Sequence, residues 1–439
     1  MAKDLTQGNV TKTMLLFAGP MILGNLLQQF YNIADTLIVG RYLGPHALAA
    51  VGSAYTLMTF LTSILIGMCM GSGALISYYY GKKDGEKMKG SMQLSFLLIG
   101  AVTIVMNLLV FFFCEGILQL LQVPDELFGM MDTYVRIIFA GLFFVFLYNY
   151  FAYLLRAMGN SMVPLYFLGS TAVLNVVLDL IFVVECDYGI GGAAAATVIS
   201  QAVSGVGIGI YTWIKEPTLR PDGGRPAFGK GMAAEILRFS FSSSIQQSVM
   251  NFGILMIQGL VNSFGASVMA AFAAAVKIDS FAYMPAQEFG NAFSLFISQN
   301  HGAGEGGRVK RGIGSAVKVS MTFCVIVSVL VCFFAGILMT LFVSQEDTEI
   351  IRIGVGYLRT EGAFYCGIGV LFLLYGYYRG INRPEMSLLL TIISLGTRVL
   401  LAYLLAPVQG IGVWGIWAAI PIGWFLADLT GIWYLRRKV

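Results

Sequence analysis

Long, continuous apolar runs dominate the chain, separated by short polar connections. Twelve can be marked, near residues 14–38, 47–77, 91–114, 130–155, 162–184, 190–213, 233–263, 267–297, 312–342, 351–377, 385–406 and 411–434. A membrane-crossing helix needs roughly 20 apolar residues, and several of these runs are long enough to tilt or to extend beyond the hydrocarbon core. Because the runs are continuous and not alternating, they predict helices and exclude a β-barrel. The expected fold class is an all-α polytopic membrane protein with about twelve transmembrane helices.

The pattern repeats at an offset of 221 residues. Gly44, Ala49 and Ala50 recur as Gly265, Ala270 and Ala271; Gly81, Gly85 and Lys89 recur as Gly302, Gly306 and Lys310. Gly159 maps onto Gly380, and the Gly189, Ile190, Gly191 turn onto Gly410, Ile411, Gly412. A period of half the chain is too long for a solenoid unit and is the signature of a duplicated bundle, as in transporters built from two related halves. Six runs fall in each copy. The expected division is an N-terminal six-helix lobe over residues 1–215, a cytoplasmic linker over 216–230 and a C-terminal six-helix lobe over 231–439. The linker is the most hydrophilic long connection, with Pro217, Pro221, Gly223, Gly224 and Pro226 in the turn-forming composition of a joint.

Composition and charge narrow the class further. Of 439 residues, 57 % are hydrophobic and 11 % charged, and the mean hydropathy is +0.79, which excludes a water-soluble protein. With the N-terminus inside, the inner connections hold nineteen Lys and Arg residues, among them Lys82, Lys83, Lys87, Lys89, Arg308, Lys310, Arg311, Arg436 and Arg437. The outer connections hold Arg41, Arg136 and Arg352 against nine acids. Basic residues stay on the cytoplasmic side, so a multi-pass protein of the cytoplasmic (inner) membrane with both termini cytoplasmic is expected. The net charge of +4 follows from this bias and calls for no nucleic-acid partner. The first dozen residues are mixed polar and lack a cleavage site, so the first run reads as a span and not as a removable signal peptide. Six cysteines without metal-ligand spacing read as free thiols packed as small hydrophobes, and His46 and His301 cannot form a multi-His site. No P-loop, dinucleotide fingerprint or nucleophile with a base is present. An enzyme, ATP-driven transport and a cofactor are therefore not expected.

Ionisable groups inside spans are costly and mark function by default. On the first run Asn25, Gln28, Asn32 and Asp35 share one helical face, which must look into protein or a cavity and not into lipid. On the fifth run Asn175 and Asp179 are four apart and hence neighbours; on the sixth, Thr197 follows the small-residue stretch Ala193 to Ala196, where helices approach closely. An amide, a hydroxyl and two carboxylates form a hard-oxygen set suited to a proton or a small hard cation such as Na+. Two acids buried together also resist simultaneous ionisation, as proton exchange requires. A structural polar knot at helix crossings is the competing reading. The repeat supplies a control: Asp35, Asn175, Asp179 and Thr197 map onto Met256, Gly396, Leu400 and Ala418, so the set is one-sided. A group that the bundle needed architecturally should tend to occur in both copies.

The second copy carries Lys277, Asp279 and Glu288 on the eighth run, Arg359 and Glu361 on the tenth and Arg398 on the eleventh. Lys277 and Glu288 share a face, and the mixed signs suggest neutralising pairs lining a cavity, with structural pairing and substrate or proton handling both open. Gln246, Gln247, Asn251, Gln258 and Asn262 give the seventh run a polar side. The cavity-lining candidates are thus Asn25, Gln28, Asn32, Gln247, Asn251, Lys277, Glu288 and Arg398. Pro20, Pro285 and Pro421 can weaken the helical ladder locally. Thirty-two Phe and twenty-one Met residues suit adaptable walls for amphipathic ligands.

With these features the chain resembles the multidrug and toxic compound extrusion (MATE) family over nearly its whole length. The resemblance is carried by Asp4 to Gly8, Pro20, the Ala34, Asp35, Thr36 segment, the Gly81 to Lys89 loop, Arg156 to Asn160, Asn175 with Asp179, and the loop Gln299, Asn300, His301, Gly302, Ala303. It implies two six-helix lobes in a V with a central cavity, and export of mostly cationic amphiphiles in exchange for H+ or Na+. It also implies a cation site in the N-terminal lobe at Asp35, Asn175, Asp179 and Thr197, with the Ala193 carbonyl as an additional oxygen. Some members of the family use acids on the seventh and tenth spans. Here those stretches read Gln246, Gln247, Ser248 and Cys366, Gly367, Ile368, which points to the branch that uses the first lobe. The expected partners are small amphiphilic substrates and membrane lipids, around a monomer. A lipid or lipid-linked oligosaccharide flippase of the same superfamily is the alternative, and an ion channel a more distant one.

Overall fold

The computed structural model describes residues 4–121, 123–220 and 230–438. Among these are fourteen α-helices and no β-strand. The first seven are α1 (Val10–Tyr42), α2 (Gly44–Gly81), α3 (Gly85–Leu120), α4 (Asp125–Ala140), α5 (Leu142–Ala157), α6 (Met162–Asp179) and α7 (Gly189–Lys215). The second seven are α8 (Lys230–Asn262), α9 (Ala266–Gly302), α10 (Gly306–Thr340), α11 (Thr348–Gly362), α12 (Tyr365–Gly380), α13 (Pro384–Leu405) and α14 (Val413–Lys438). Each helix of the first set recurs in the second with its start displaced by 220 to 224 residues, so the sequence repeat is a repeat of structure. The turns repeat as well. Gly44 and Gly265, one residue before or at the start of α2 and α9, have φ of 85° and 93°, a left-handed conformation that glycine adopts without a Cβ penalty.

Helices account for all twelve apolar runs. Among the described residues, nine helices are long and apolar enough to cross a membrane, and ten when α4 and α5, bent by 44° at Gly141, count as one span. The two remaining runs fall below that criterion for identifiable reasons. Helix α8 carries Glu235, Arg238 and several amides, and the tenth run is divided between α11 and α12 by Ala363 and by Phe364, whose φ is −116° and ψ 17°. Pro20, Pro285 and Pro421 all lie inside helices.

The described residues divide into two compact units. Asp4 and Gly19–Ser244 form the first; Leu5–Ala18 and the chain from Ile245 onward form the second. This departs from the expected division at 215 and 231 in two places. The first turns of α1 belong with the second unit because the buried guanidinium of Arg308 donates to the carbonyls of Leu5 (3.1 Å), Gln7 (2.6 Å) and Gly8 (2.6 Å). Asn300 Nδ2 adds a bond to the Leu5 carbonyl at 3.2 Å. The first half of α8 belongs with the first unit, where Tyr79 donates to Glu235 Oε2 at 2.5 Å and α2 is bare at Gly67, so closely approached that a Cβ there would lie 2.5 Å from Ser244 Cα. Residues 221–229 of the expected linker, with Pro221, Gly223, Gly224 and Pro226, lie outside the described residues.

Each unit has its own apolar core. Phe96, Phe146 and Tyr150 pack with ring centroids 5.2 to 5.8 Å apart in the first. In the second, Trp417 stacks on Phe272 at 5.5 Å with Tyr357 edge-on at 4.8 Å, offset and perpendicular arrangements that aromatic quadrupoles favour. All six cysteines are unpaired.

Candidate functional site

The acid pair expected from the sequence comes together inside the first unit. Helix α6 ends at Asp179, and the chain continues as a π-helical turn over Leu180–Glu185. Such a turn adds a residue per bond and re-aims the side chains beside it, a geometry common at functional sites. Asp179 is fully buried and Asn175, one turn earlier, is 2 % exposed. The Asp35 carboxyl group, half-buried on α1, lies within hydrogen-bonding reach of that of Asp179. Helix α7 supplies the remaining oxygens: Asn175 Nδ2 donates to Thr197 Oγ1 at 3.4 Å, and Thr197 Oγ1 donates to the Ala193 carbonyl at 3.2 Å. The small residues Ala193, Ala194 and Ala196, all essentially buried, let α7 approach α6 this closely.

What the cluster lacks is as informative as what it contains. Asp35 Oδ1, both carboxyl oxygens of Asp179 and Asn175 Oδ1 are buried without a hydrogen-bond partner. Buried oxygens of this kind are ordinarily satisfied, and an uncompensated buried carboxylate is strongly unfavourable. Among the described residues, the charged group acting on each acid is the other acid, with no Lys or Arg beside either. A proton between the carboxyl groups, or a monovalent hard cation held by oxygens from α1, α6 and α7, would satisfy the set. Two phenols that the sequence did not single out stand beside it: Tyr31 on α1, hydrogen-bonded to Gln28, and Tyr134 on α4, both within electrostatic range of Asp35. Neither has a spacing signal, since each reaches the acids only through tertiary packing.

The other candidates divide. Gln28 is exposed and Asn25 and Asn32 half-buried on α1, while Gln247 and Asn251 are half-buried on α8. Lys277 is exposed and lines a cavity of about 370 Å³ with Ser344 and Asp347. Glu288 accepts from Asn291 Nδ2 at 3.3 Å, and Asn291 Oδ1 accepts from the buried Arg379 at 3.4 Å, which also donates to Gln246 Oε1 at 3.3 Å. The neutralising pair expected of Lys277 and Glu288 is therefore not formed. They share a face of α9, yet eleven residues at 1.5 Å rise separate them by about 16 Å. Arg398 instead stands beside Asp279 and Glu361. A buried acid that the sequence reading did not single out is Asp428 on α14, which is 7 % exposed and whose Oδ1 has no partner. Its signal was a lone carboxylate within the twelfth apolar run.

Comparison with known proteins gives a consistent result. The sequence profile of the MatE family matches residues 20–181 and 240–404, one match in each copy of the repeat. The probable multidrug resistance protein YpnP of Bacillus subtilis is 32 % identical over 394 residues, 90 % of this chain and 87 % of that protein. The probable multidrug resistance protein NorM of Thermotoga maritima is 24 % identical over 413 residues, covering 93 % and 88 % of the two chains. Among solved structures, a MOP superfamily transporter from Pyrococcus furiosus superposes with a TM-score of 0.92 at 24 % identity, covering 99 % of this chain and 97 % of that one. A multidrug resistance MATE family transporter in an outward-facing conformation superposes with a TM-score of 0.93 at 23 % identity and the same coverage. At these identities the structural likeness establishes the fold.

Proposed function

The chain belongs to the MatE family of membrane transporters, and from that membership and the oxygen cluster of the first unit we propose that it is a secondary multidrug exporter. Export of cationic amphiphilic compounds is coupled to inward movement of H+ or Na+, without a cofactor, by a monomer in a cytoplasmic membrane with both termini inside. The observation that carries this reading is the pair Asp35 and Asp179, two carboxyl groups within hydrogen-bonding reach whose buried oxygens have neither a donor nor a basic neighbour among the described residues. Such a site gains free energy from any small cation that enters it, and binding to one conformation only is what couples an ion gradient to a conformational cycle.

The one-sidedness of the set supports a specific role. At the positions equivalent to Asp35, Asn175, Asp179 and Thr197 stand Met256, Gly396, Leu400 and Ala418, and Leu400 is 60 % exposed, as befits a side chain against lipid. The related Bacillus and Thermotoga proteins bear the description multidrug resistance, which favours small-molecule cargo over lipid-linked cargo. The test is efflux of a fluorescent lipophilic cation from proteoliposomes under separately imposed proton and sodium gradients. One of the two gradients alone should drive accumulation against a concentration difference. Transport indifferent to both gradients would overturn the coupling, and flipping of a labelled lipid without dye movement would overturn the cargo.

A further inference from the structure

The second unit contains another buried acid pair, built differently from the first. Asp279 on α9 is 4 % exposed and Glu361 on α11 is 1 % exposed, and their carboxyl groups lie within hydrogen-bonding reach of each other. Ionised carboxylates have only acceptors; two of them meeting in this way require a proton between them. Tyr365 on α12 donates to Asp279 Oδ1 at 2.7 Å, Tyr357 on α11 reaches both acids, and the guanidinium of Arg398 on α13 acts on both. The remaining ionisable neighbours are Tyr283 on α9, close to both acids and to Arg398, and Cys332 on α10, close to Tyr365. Among the described residues, two acids thus face a single basic group. Glu361 Oε1 and Arg398 Nε have no partner.

Position adds a second observation. Glu361 is the last residue but one of α11 and Tyr365 the first of α12, so the cluster straddles the break at Ala363 and Phe364. Through Asp279 it ties both sides of that break to α9, six residues before Pro285. Interrupted backbone at membrane depth is tolerated where neighbouring groups satisfy it, and here those groups form a proton-bearing knot.

We propose that Asp279 and Glu361 form a second proton-binding site of the protein, selective for H+ over Na+ and placed to hold the α11–α12 break against α9. The selectivity follows from Arg398. Among the described residues of the first unit no basic group stands beside the acids, so a metal cation and a proton are both admissible. In the second a guanidinium already supplies one positive charge; it repels a metal ion and neutralises one carboxylate, leaving a single proton to complete the balance. Removing either acid leaves one carboxylate against one guanidinium and no shared proton.

The test is pH-difference infrared spectroscopy of the full-length protein in lipid nanodiscs, reading the C=O stretch of protonated carboxyl groups. Raising the pH should bleach a component of that band in the wild type, and Glu361→Gln and Asp279→Asn should each lose that component. Sodium at constant ionic strength should leave it in place, and the Asp35→Asn/Asp179→Asn double variant should retain it whether or not that variant transports. The comparison of single variants with wild type removes the contributions of Asp428 and the first-unit acids. A folded Glu361→Gln or Asp279→Asn protein with the full wild-type band would overturn the proposal, as would loss of the component on adding sodium. Should Glu361→Gln fail to fold, Asp279→Asn decides the question alone.

Discussion

A single carboxyl oxygen decides the function proposed for the first unit. Asp35→Asn and Asp179→Asn replace that oxygen with an amide of the same shape, so membrane expression should persist while ion-driven efflux is lost to background in a vesicle dye assay. Asn175→Ala and Thr197→Ala each remove one neutral donor and should give a weaker loss or a changed ion dependence. Met256→Leu and Leu400→Met, at the equivalent positions of the second copy, conserve volume and should cost little. Wild-type rates in well-expressed Asp35→Asn and Asp179→Asn proteins would sink the assignment. Stability sorts the second-unit charges differently. Arg379→Met strips the partner from the Gln246 and Asn291 oxygens, and each buried polar group left unsatisfied costs about 1–3 kcal/mol, so the melting midpoint should fall clearly. Lys277→Ala, at an exposed site, should stay within about 0.5 kcal/mol of wild type.

Helices determine which of these residues meet, and here the limits of the sequence become visible in particular places. Periodicity placed Asn175 and Asp179 on one face of α6 and the stripe ending at Asp35 on α1, because spacing within a helix is fixed by its pitch. It could not distinguish a shared face from contact, which is why Lys277 and Glu288 read as a pair and Glu288 instead joins Asn291 and Arg379. Breaks were invisible too: neither the fourth run nor the tenth contains a proline, so nothing in the sequence marked Gly141 or Phe364 as the point where the helices divide. Close approach depends on backbone exposed by glycine. At Gly376 on α12 an added Cβ would run into the Gly290 carbonyl of α9, and at Gly290 one would lie 2.8 Å from the Phe372 carbonyl oxygen. Gly376→Val should therefore separate α9 from α12 and destabilise the second unit by about 1–3 kcal/mol or more, read as a lower melting midpoint. Gly314→Ala, where a Cβ meets nothing within 4 Å, should be neutral or mildly stabilising. Equal melting of the two variants would contradict the close-packing account.

Across the whole molecule, duplication and charge were the most legible features, since neither depends on tertiary contact. The offset of 221 residues in the sequence returns as helix starts displaced by 220 to 224, and the two family matches at 20–181 and 240–404 fall one per copy. Unit boundaries were less legible, because Arg308 draws Leu5, Gln7 and Gly8 into the second unit through backbone carbonyls, a bond type that leaves no residue pattern. The duplication constrains orientation: α1 and α8 begin equivalent halves, with six expected crossings between them, so equivalent loops lie on the same side. The loops at Lys83 and Gly304, each with φ above +50° and each flanked by basic residues, should therefore both be cytoplasmic, together with Arg436. Single cysteines at Lys83, Gly304 and Arg436 in a cysteine-free background should resist an impermeant maleimide added to intact cells and react after permeabilisation. Cysteines at Asp125 and Glu346, at equivalent outer connections, should react in intact cells. Labelling of Lys83→Cys and Gly304→Cys from opposite sides would break the parallel between the halves, and labelling of both from outside would invert the orientation on which the proposed inward ion movement and outward export depend.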